Sequence, residues 1–571
     1  MGKHFYTRRR FWYWFGGTAV GLLIVLVTGI TIIAVKWKPV LSSKLKEGVK
    51  KASGELYTLD FKDLHLNLLR GTVTLDSVVF WPDSNVFNEL KLQKKAPVHV
   101  FRIKLEHLKI TRIGILDAYL KKKLHAKAIL LDNPSIDMVY HKGIKRTADT
   151  ARSENLYQIL KSTLNSIEVK LIKVIDADFD YYNTDRKLSA VKHVNIRVED
   201  LLIDSLTSLD TTRVLYSKNI GFELGGYKSL TKDKMYTVKI DSVRGSLNKR
   251  SLEIKGLKVI PMYPELEFSR KYNVQKDRYD LDFSSIILDN IDFTGLSNNG
   301  NLQVKKMTIG PAKVAVFMNR SLPPPDIDKG RNFPHVALQR LPLPTIIEKV
   351  MLNKVDVAYT EFNPETKDKG TVKLQALNGS LSNLTNDSLR LAHHNHAYAD
   401  LSTSVMGTAK MNVKIDFNLI DKNGGFNYYG TVGGFDMKVL NAISKPLGKM
   451  EVESGHVNSA SFNISANFNQ AAGKVVFLYG GLKIKMLGED EEGKQKKKGL
   501  LSFLANTILI KDDNPTGNDQ QRIAYVDHHR VKQASFFNLM WKTILKGIRE
   551  TAGVGMIPMK KMPPPKKGIK K

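Results

Sequence analysis

The sequence contains no cysteine. That excludes disulfides, zinc–thiolate centres and a cysteine nucleophile, and it is compatible with an oxidising compartment where a stray thiol is a hazard. Acidic residues are scarce beside basic ones: 56 Asp+Glu against 88 Lys+Arg, a formal net charge of +32. Such a balance favours an anionic partner: nucleic acid, phospholipid headgroups or an acidic polysaccharide. A basic but inert surface is the plainer alternative. Catalytic signatures are missing too. No G-x-S-x-G, Walker loop or H-E-x-x-H occurs, so no enzyme and no cofactor are expected. Ser43-x-x-Lys46 lacks the Ser-Asp-Asn and Lys-Thr-Gly companions of the penicillin-binding signature. His393, His394 and His396 in "LAHHNHAYAD", with Asp400 nearby, have no convincing second cluster, although His528 and His529 occur in "YVDHHRV". They read as loop histidines, and no metal site is expected.

Long apolar runs are also rare, and one stands out. Phe11 to Val35, "FWYWFGGTAVGLLIVLVTGITIIAV", carries no charge over 25 residues. As a helix it would reach about 37 Å, enough for a hydrocarbon core of about 30 Å. Trp12, Tyr13 and Trp14 sit at one end, where amphipathic rings favour the interface. "KWKPV" follows in place of a cleavage site, so a retained anchor is expected, not a signal peptide. Lys3, Arg8, Arg9 and Arg10 argue for a cytoplasmic N-terminus, while Lys36, Lys38, Lys44 and Lys46 argue the other way. Because long domains translocate largely regardless of charge, the N-terminus is placed inside and the large domain outside. "KPVLSSKLKEGVKKASG" reads as a short helix with Leu41, Leu45, Val49 and Ala52 on one side. It either rests on anionic headgroups through its lysines or packs as an ordinary helix.

Helical patterns are few in the body: Ser153–Thr163, Met437–Lys445 and the C-terminal region. Strand patterns fill the rest. In Met411–Leu419, Met411, Val413, Ile415, Phe417 and Leu419 alternate with polar residues, and "DKNGG" then turns the chain back. Looser versions recur in "LDFKDLHLNLLRGTVTLDSVVFWP", "KLHAKAILLDNPSIDMVY" and "KRSLEIKGLKVIP", with no fixed period. The proline-rich Ser321–Pro344 is a candidate boundary. Gly488–Gly499 is a charged linker, and Lys560–Lys571 a basic tail.

An antiparallel sheet with one apolar face needs a cover. A second sheet or a closed barrel is the common answer. Here the strand pattern runs too long for one sandwich, and an anchor holds it beside a bilayer. The alternative cover is lipid. A chain of ~16 carbons leaving a membrane for water loses about 13 kcal/mol, which an apolar trough would largely recover. On that reading Val413, Ile415, Phe417 and Leu419 line the trough, with Val73, Leu75 and Ile254 from earlier strands. Phe537, Trp541, Ile544 and Ile548 share one face of a C-terminal helix that either contacts membrane or packs on the protein's own sheet. The lysines are dispersed over strand exteriors, which argues against nucleic acid.

"GTVTLDSVVFWPDS", the span and the basic helix resemble the start of AsmA-like envelope proteins, relatives of AsmA, TamB and YhdP. The stretch Leu341–Asp387 resembles their Bacteroidetes-type members, Phe426–Leu487 their C-terminal module, and Ala534–Thr551 their closing helix. The resemblance implies a mostly β, elongated antiparallel β-groove of the bridge-like lipid-transfer type, with one N-terminal transmembrane helix and a C-terminal amphipathic helix. It implies an inner-membrane, single-pass protein whose main domain is periplasmic. Its partners would be phospholipids, the inner membrane and other envelope proteins, and its role outer-membrane lipid homeostasis. The family has no catalytic motif to carry over. The regions expected are 1–38 (basic N-terminus and anchor), 39–330 (N-terminal groove with juxtamembrane helix), 331–487 (C-terminal module) and 488–571 (linker, amphipathic helix and tail). The rival expectation is a non-enzymatic scaffold or assembly factor for outer-membrane proteins, with a closed β core.

Overall fold

The computed structural model describes residues 38–553 apart from 68–69, 94–95, 115–116, 118–119, 142–156, 158–163, 184–185, 211, 490–494 and 498–510. The apolar run Phe11–Val35, the basic tail, most of the charged linker and nearly all of the Ser153–Thr163 helix lie outside the described residues. Among the described residues no helix is long and apolar enough to cross a membrane. The chain is mostly β, 57% strand and 18% helix. It divides into two compact units, residues 1–231, 238–255 and 290–301, and residues 232–237, 256–289 and 302–571.

The first unit is built on β1 (Tyr57–Asp60), β2 (Asp63–Asn67), β3 (Thr72–Pro82), β4 (His99–Thr111), β5 (Lys123–Asp132), β6 (Ser135–Tyr140), β7 (Ser166–Asn183), β8 (Arg186–Ile203) and β9 (Asn219–Leu230). β10 (Tyr236–Ser246) and β11 (Ser251–Pro261) follow. The second unit takes up β12 (Arg278–Ile291), β13 (Leu302–Ile309), β14 (Ala312–Asn319), β15 (Thr345–Asn363), β16 (Asp368–Thr385), β17 (His396–Val405), β18 (Ala409–Asn418) and β19 (Phe426–Val432). It ends with β20 (Phe435–Asp436), β21 (Met450–Ala466), β22 (Gln470–Glu489), β23 (Gln495–Lys497) and β24 (Ile523–His529). Among the described residues, four helices of two turns or more accompany them: α1 (Lys38–Ala52), α2 (Ser84–Leu92), α3 (Asn441–Gly448) and α4 (Phe536–Ala552).

The expected antiparallel pairing is corrected at two places, where the strands run parallel. β5 and β6 both pair parallel to β7, and β13 and β14 both pair parallel to β15. The cause is the same in each unit. One long strand is broken by proline, at Asn133-Pro134 and at Gly310-Pro311, because proline brings no N–H to the ladder. A parallel neighbour then needs a crossover of a dozen residues or more. Residues 141–165 and 320–344 supply crossovers of equal length. The proline-rich Ser321–Pro344 segment therefore lies inside the second unit as a crossover. It carries the short helical turn Pro334–Leu338.

Each unit has its own core. In the first, Leu45 and Val49 of α1 and Phe87 of α2 close over Leu64, Val73, Leu75, Ile110 and Ile129. α1 is thus a packed helix, and three of its lysines pair with protein carboxylates: Lys46 with Asp60 at 2.5 Å, Lys50 with Glu55 at 3.3 Å and Lys51 with Glu47 at 2.8 Å. In the second, α4 lies on β22 and β24. Ser535 caps its start, accepting from the Asn538 N–H, and Gly553 ends it in the left-handed region at φ 75°. Phe536 and Leu539 press on Ile415, Tyr428, Ile464 and Val526.

The closeness of that seat has a measurable consequence. A Cβ on Gly547 would stand 2.5 Å from the Val475 Cβ. Gly547→Ala adds about 1 kcal/mol of helix propensity but overpacks the interface, at a cost of about 1–3 kcal/mol. Net destabilisation is expected, read as a lower urea midpoint at unchanged slope.

Candidate functional site, an apolar face that outruns its cover

Strand register shows how far each cover reaches. In the first unit one row runs Val73, Ile110, Ile129, Ile172, Val198, Ile220 across β3, β4, β5, β7, β8 and β9. The first four are buried, and Val198 and Ile220 are half-buried. A second row runs Leu75, Leu108, Leu131, Val174, Ile196, Phe222. Here only the first two are buried. The residues stay apolar along both rows while the protein above them ends. On β10 and β11, Val238, Ile240, Leu252 and Ile254 are likewise half-buried, with Lys239, Asp241 and Lys255 exposed beside them and Glu253 half-buried. Half-burial is what lateral neighbours alone provide on an open sheet face.

The second unit repeats this. The row Val350, Leu381, Ala399, Ile415, Tyr428, Ile464 crosses β15 to β21. From Ala399 onward it lies buried beneath α4 and the Phe333 segment, Ile464 at 0% exposure. Nearer β12, the row Leu281, Val314, Val357, Leu374 has no buried member. Two residues further along each strand the same face carries Tyr279, Val316, Tyr359 and Val372, and then Met318, Glu361 and Gly370. Tyr359 Oη donates to Glu361 Oε1 at 3.0 Å, and the Arg320 Nη1 stands 3.7 Å from Glu361 Oε2. Burial, with Glu361 and Asp277 beside it, holds the Tyr359 hydroxyl far above the ordinary tyrosine range.

The structure redistributes the residues expected to line a groove. Val73 and Leu75 belong to the first core, and Val413, Ile415, Phe417 and Leu419 to the second. These six do not line an open face, because α1 and α4 cover it at those strands. Ile254 alone of the seven is half-buried. The C-terminal helix face also divides. Phe537 and Trp541 are exposed, at 71% and 41%, whereas Ile544 and Ile548 pack against the cores. His396 of the histidine stretch pairs with Asp416 at 2.5 Å. Sequence reasoning missed Val198, Ile220, Phe222, Val314, Val357 and the Tyr359–Glu361 pair. Strict alternation through Val355, Val357, Tyr359, Glu361 was the signal available for the last of these. No protein-family model matches the chain, and no curated protein matches it.

The second cover contains a titratable group. His335, 4% exposed, is packed with its ring centroid 5.1 Å from Phe417, 5.8 Å from Phe426 and 6.3 Å from Phe333. Burial pushes its pKa below 6.5, against the opposing pull of the Gly424 backbone and Asp421. Folded His335 is therefore neutral where the unfolded chain takes up a proton. Above pH 6.5 both states are neutral and the packing contributes in full. As pH falls through 6.5 the unfolded state gains the proton first, and stability is lost. The urea midpoint is expected to drop between pH 7 and 5, and to drop less in His335→Leu.

Proposed function

We propose that the half-covered apolar faces hold the acyl chains of phospholipid, and that the protein shields and transfers lipid in the manner implied by its resemblance to AsmA-like proteins. The single observation that carries this reading is the continuation of the apolar rows beyond α1 in one unit and beyond α4 in the other. Aliphatic side chains left against water cost about 25 cal/mol per Å² of apolar surface. A face left so in register over several strands is supported best by a ligand that completes the cover. In the full reading the strands form an elongated groove held at the inner membrane by Phe11–Val35, with the N-terminus cytoplasmic and the main domain periplasmic. Phe537 and Trp541 would then contact a membrane or another envelope protein. The transfer is passive and no enzyme chemistry is involved.

Lipid extraction and native mass spectrometry of the purified full-length chain test the reading. Copurifying phospholipid is expected. Ile254→Asp and Ile220→Asp should leave a folded protein carrying several-fold less lipid. Ile415→Asp places a charge in a sealed core and should unfold the second unit. A wild-type protein that holds no lipid and takes none up would reject the groove in favour of the closed scaffold.

A further inference from the structure

The polar face of the second unit carries a cavity that the lipid reading does not use. It has a volume of about 380 Å³, opens to solvent and lies on β17, β18, β19, β21 and β22 near their turns. Register explains the hollow. One row on this face runs Tyr398, Asp416, Asn427, Ser465, Ala472, Asp527. Ser465 and Ala472, side by side within it, are short, so the row dips between longer neighbours. Two ordered turns close one end. The Asp421 carboxylate accepts from the Asn423 and Gly425 N–H groups, both at 2.9 Å. Asn467 Oδ1 accepts from the N–H groups of Asn469 at 2.8 Å and Gln470 at 3.1 Å.

Polar atoms are left over inside. His396 Nδ1–H donates to Asp416 Oδ1 at 2.5 Å, and the second Asp416 oxygen has no partner among the described residues. The side chains of Asn427, Ser465 and Gln470, which also line the cavity, make no hydrogen bond among the described residues. Donors and acceptors are therefore mixed around one hollow, and the mixture selects the ligand. An anion meets Asp416 and Asp421. A metal ion finds no ligand set, since no three His, Asp or Glu among the described residues are grouped to hold one. An ammonium finds both carboxylates engaged, Asp416 by His396 and Asp421 by two backbone N–H groups. A hydroxyl both donates and accepts, so several hydroxyls on one ring serve amides, Ser465 and the carboxylate oxygen together.

Aromatic rings stand beside these groups. Tyr398, exposed, stacks on His396 with ring centroids 6.1 Å apart and planes 24° apart. The pair gives the cavity a flat wall. Two residues along β19 and β24 the same face presents Tyr429 and Tyr525, both exposed, in one row with Lys414, Asn463 and Lys474. Tyr429 and Tyr525 are three strands apart, about 14 Å, so the platform extends past a single ring. We propose that this cavity binds an uncharged oligosaccharide. Asp416, Asn427, Ser465 and Gln470 hold ring hydroxyls, and Tyr398 stacks on the C–H face of a pyranose. The assignment is independent of the lipid reading, because Ile415, Tyr428 and Ile464, which alternate with these positions, are buried on the opposite face of the sheet.

The test uses the full chain in amphipol on a printed array of neutral and acidic oligosaccharides, then calorimetry with the neutral glycan retained most strongly. Ala472→Trp fills the hollow at an exposed strand position, where an aromatic residue is well tolerated. Tyr398→Ala removes the stacking ring. Each should weaken the glycan at least tenfold at an unchanged unfolding midpoint. Should either variant lower that midpoint, Gln470→Ala, at an exposed turn position, replaces it with the same expected direction. Retention of no neutral glycan on the array would overturn the proposal. So would a neutral glycan bound equally by wild type and the folded variants.

Discussion

The apolar face of a twisted sheet has to be removed from water, and the elements that do so here are shorter than the sheet. α1 packs on β1 and β2, and α4 packs on β22 and β24 with its first turns reaching Phe417, Phe426 and Tyr428, so each helix covers only a few strands. Each unit has more strands than that. Where the helix ends the side chains do not turn polar: Val198 and Ile220 carry on from Ile129 and Ile172. Val198 and Ile220 are half-buried there, and they stay aliphatic past the reach of the helix.

Strands are legible in this sequence and their covers are not, and both follow from range. Alternation is local, so Met411–Leu419 was legible as a strand with one apolar face, and "DKNGG" as its turn; β18 pairs antiparallel with β19 as that turn requires. The cover is not local. Tyr428 Oη donates to the Met540 carbonyl across 112 residues of sequence, and nothing in the strand itself says that a distant helix will sit on it. The face of Ile415 and the face of Ile254 look alike as patterns, yet one is sealed and the other half-open. The same limit applies to the C-terminal helix. Its periodicity grouped Phe537, Trp541, Ile544 and Ile548, but the seat of Gly547 on Val475 rolls the helix so that the isoleucines flank the contact and the aromatics face away.

The parallel ladders were legible only as punctuation. Asn133-Pro134 and Gly310-Pro311 mark breaks, but a break says nothing about whether the next strand returns or crosses over. The recurrence of the device, a proline-broken strand followed by a crossover and a long strand parallel to both halves, gives the two units a common plan that no sequence period revealed. Its physical advantage is that one long strand, β7 or β15, splints both halves of a broken neighbour. The sheet stays continuous through the kink, and the apolar parity carries across it.

The proposed ligand has a size that this geometry accommodates. A hydrocarbon core of about 30 Å holds two acyl layers, so one chain occupies about 15 Å. Laid across strands, that length spans three to four of them at about 4.8 Å. The row Leu281, Val314, Val357, Leu374 crosses four strands, β12, β14, β15 and β16. Along these strands the parity then leads to Tyr359, Glu361 and Arg320, where a polar group can sit at the end of an apolar track. A closed core would bury such a cluster at a cost in desolvation. On an open face that takes an amphiphile, the same cluster marks where the apolar part of the ligand stops.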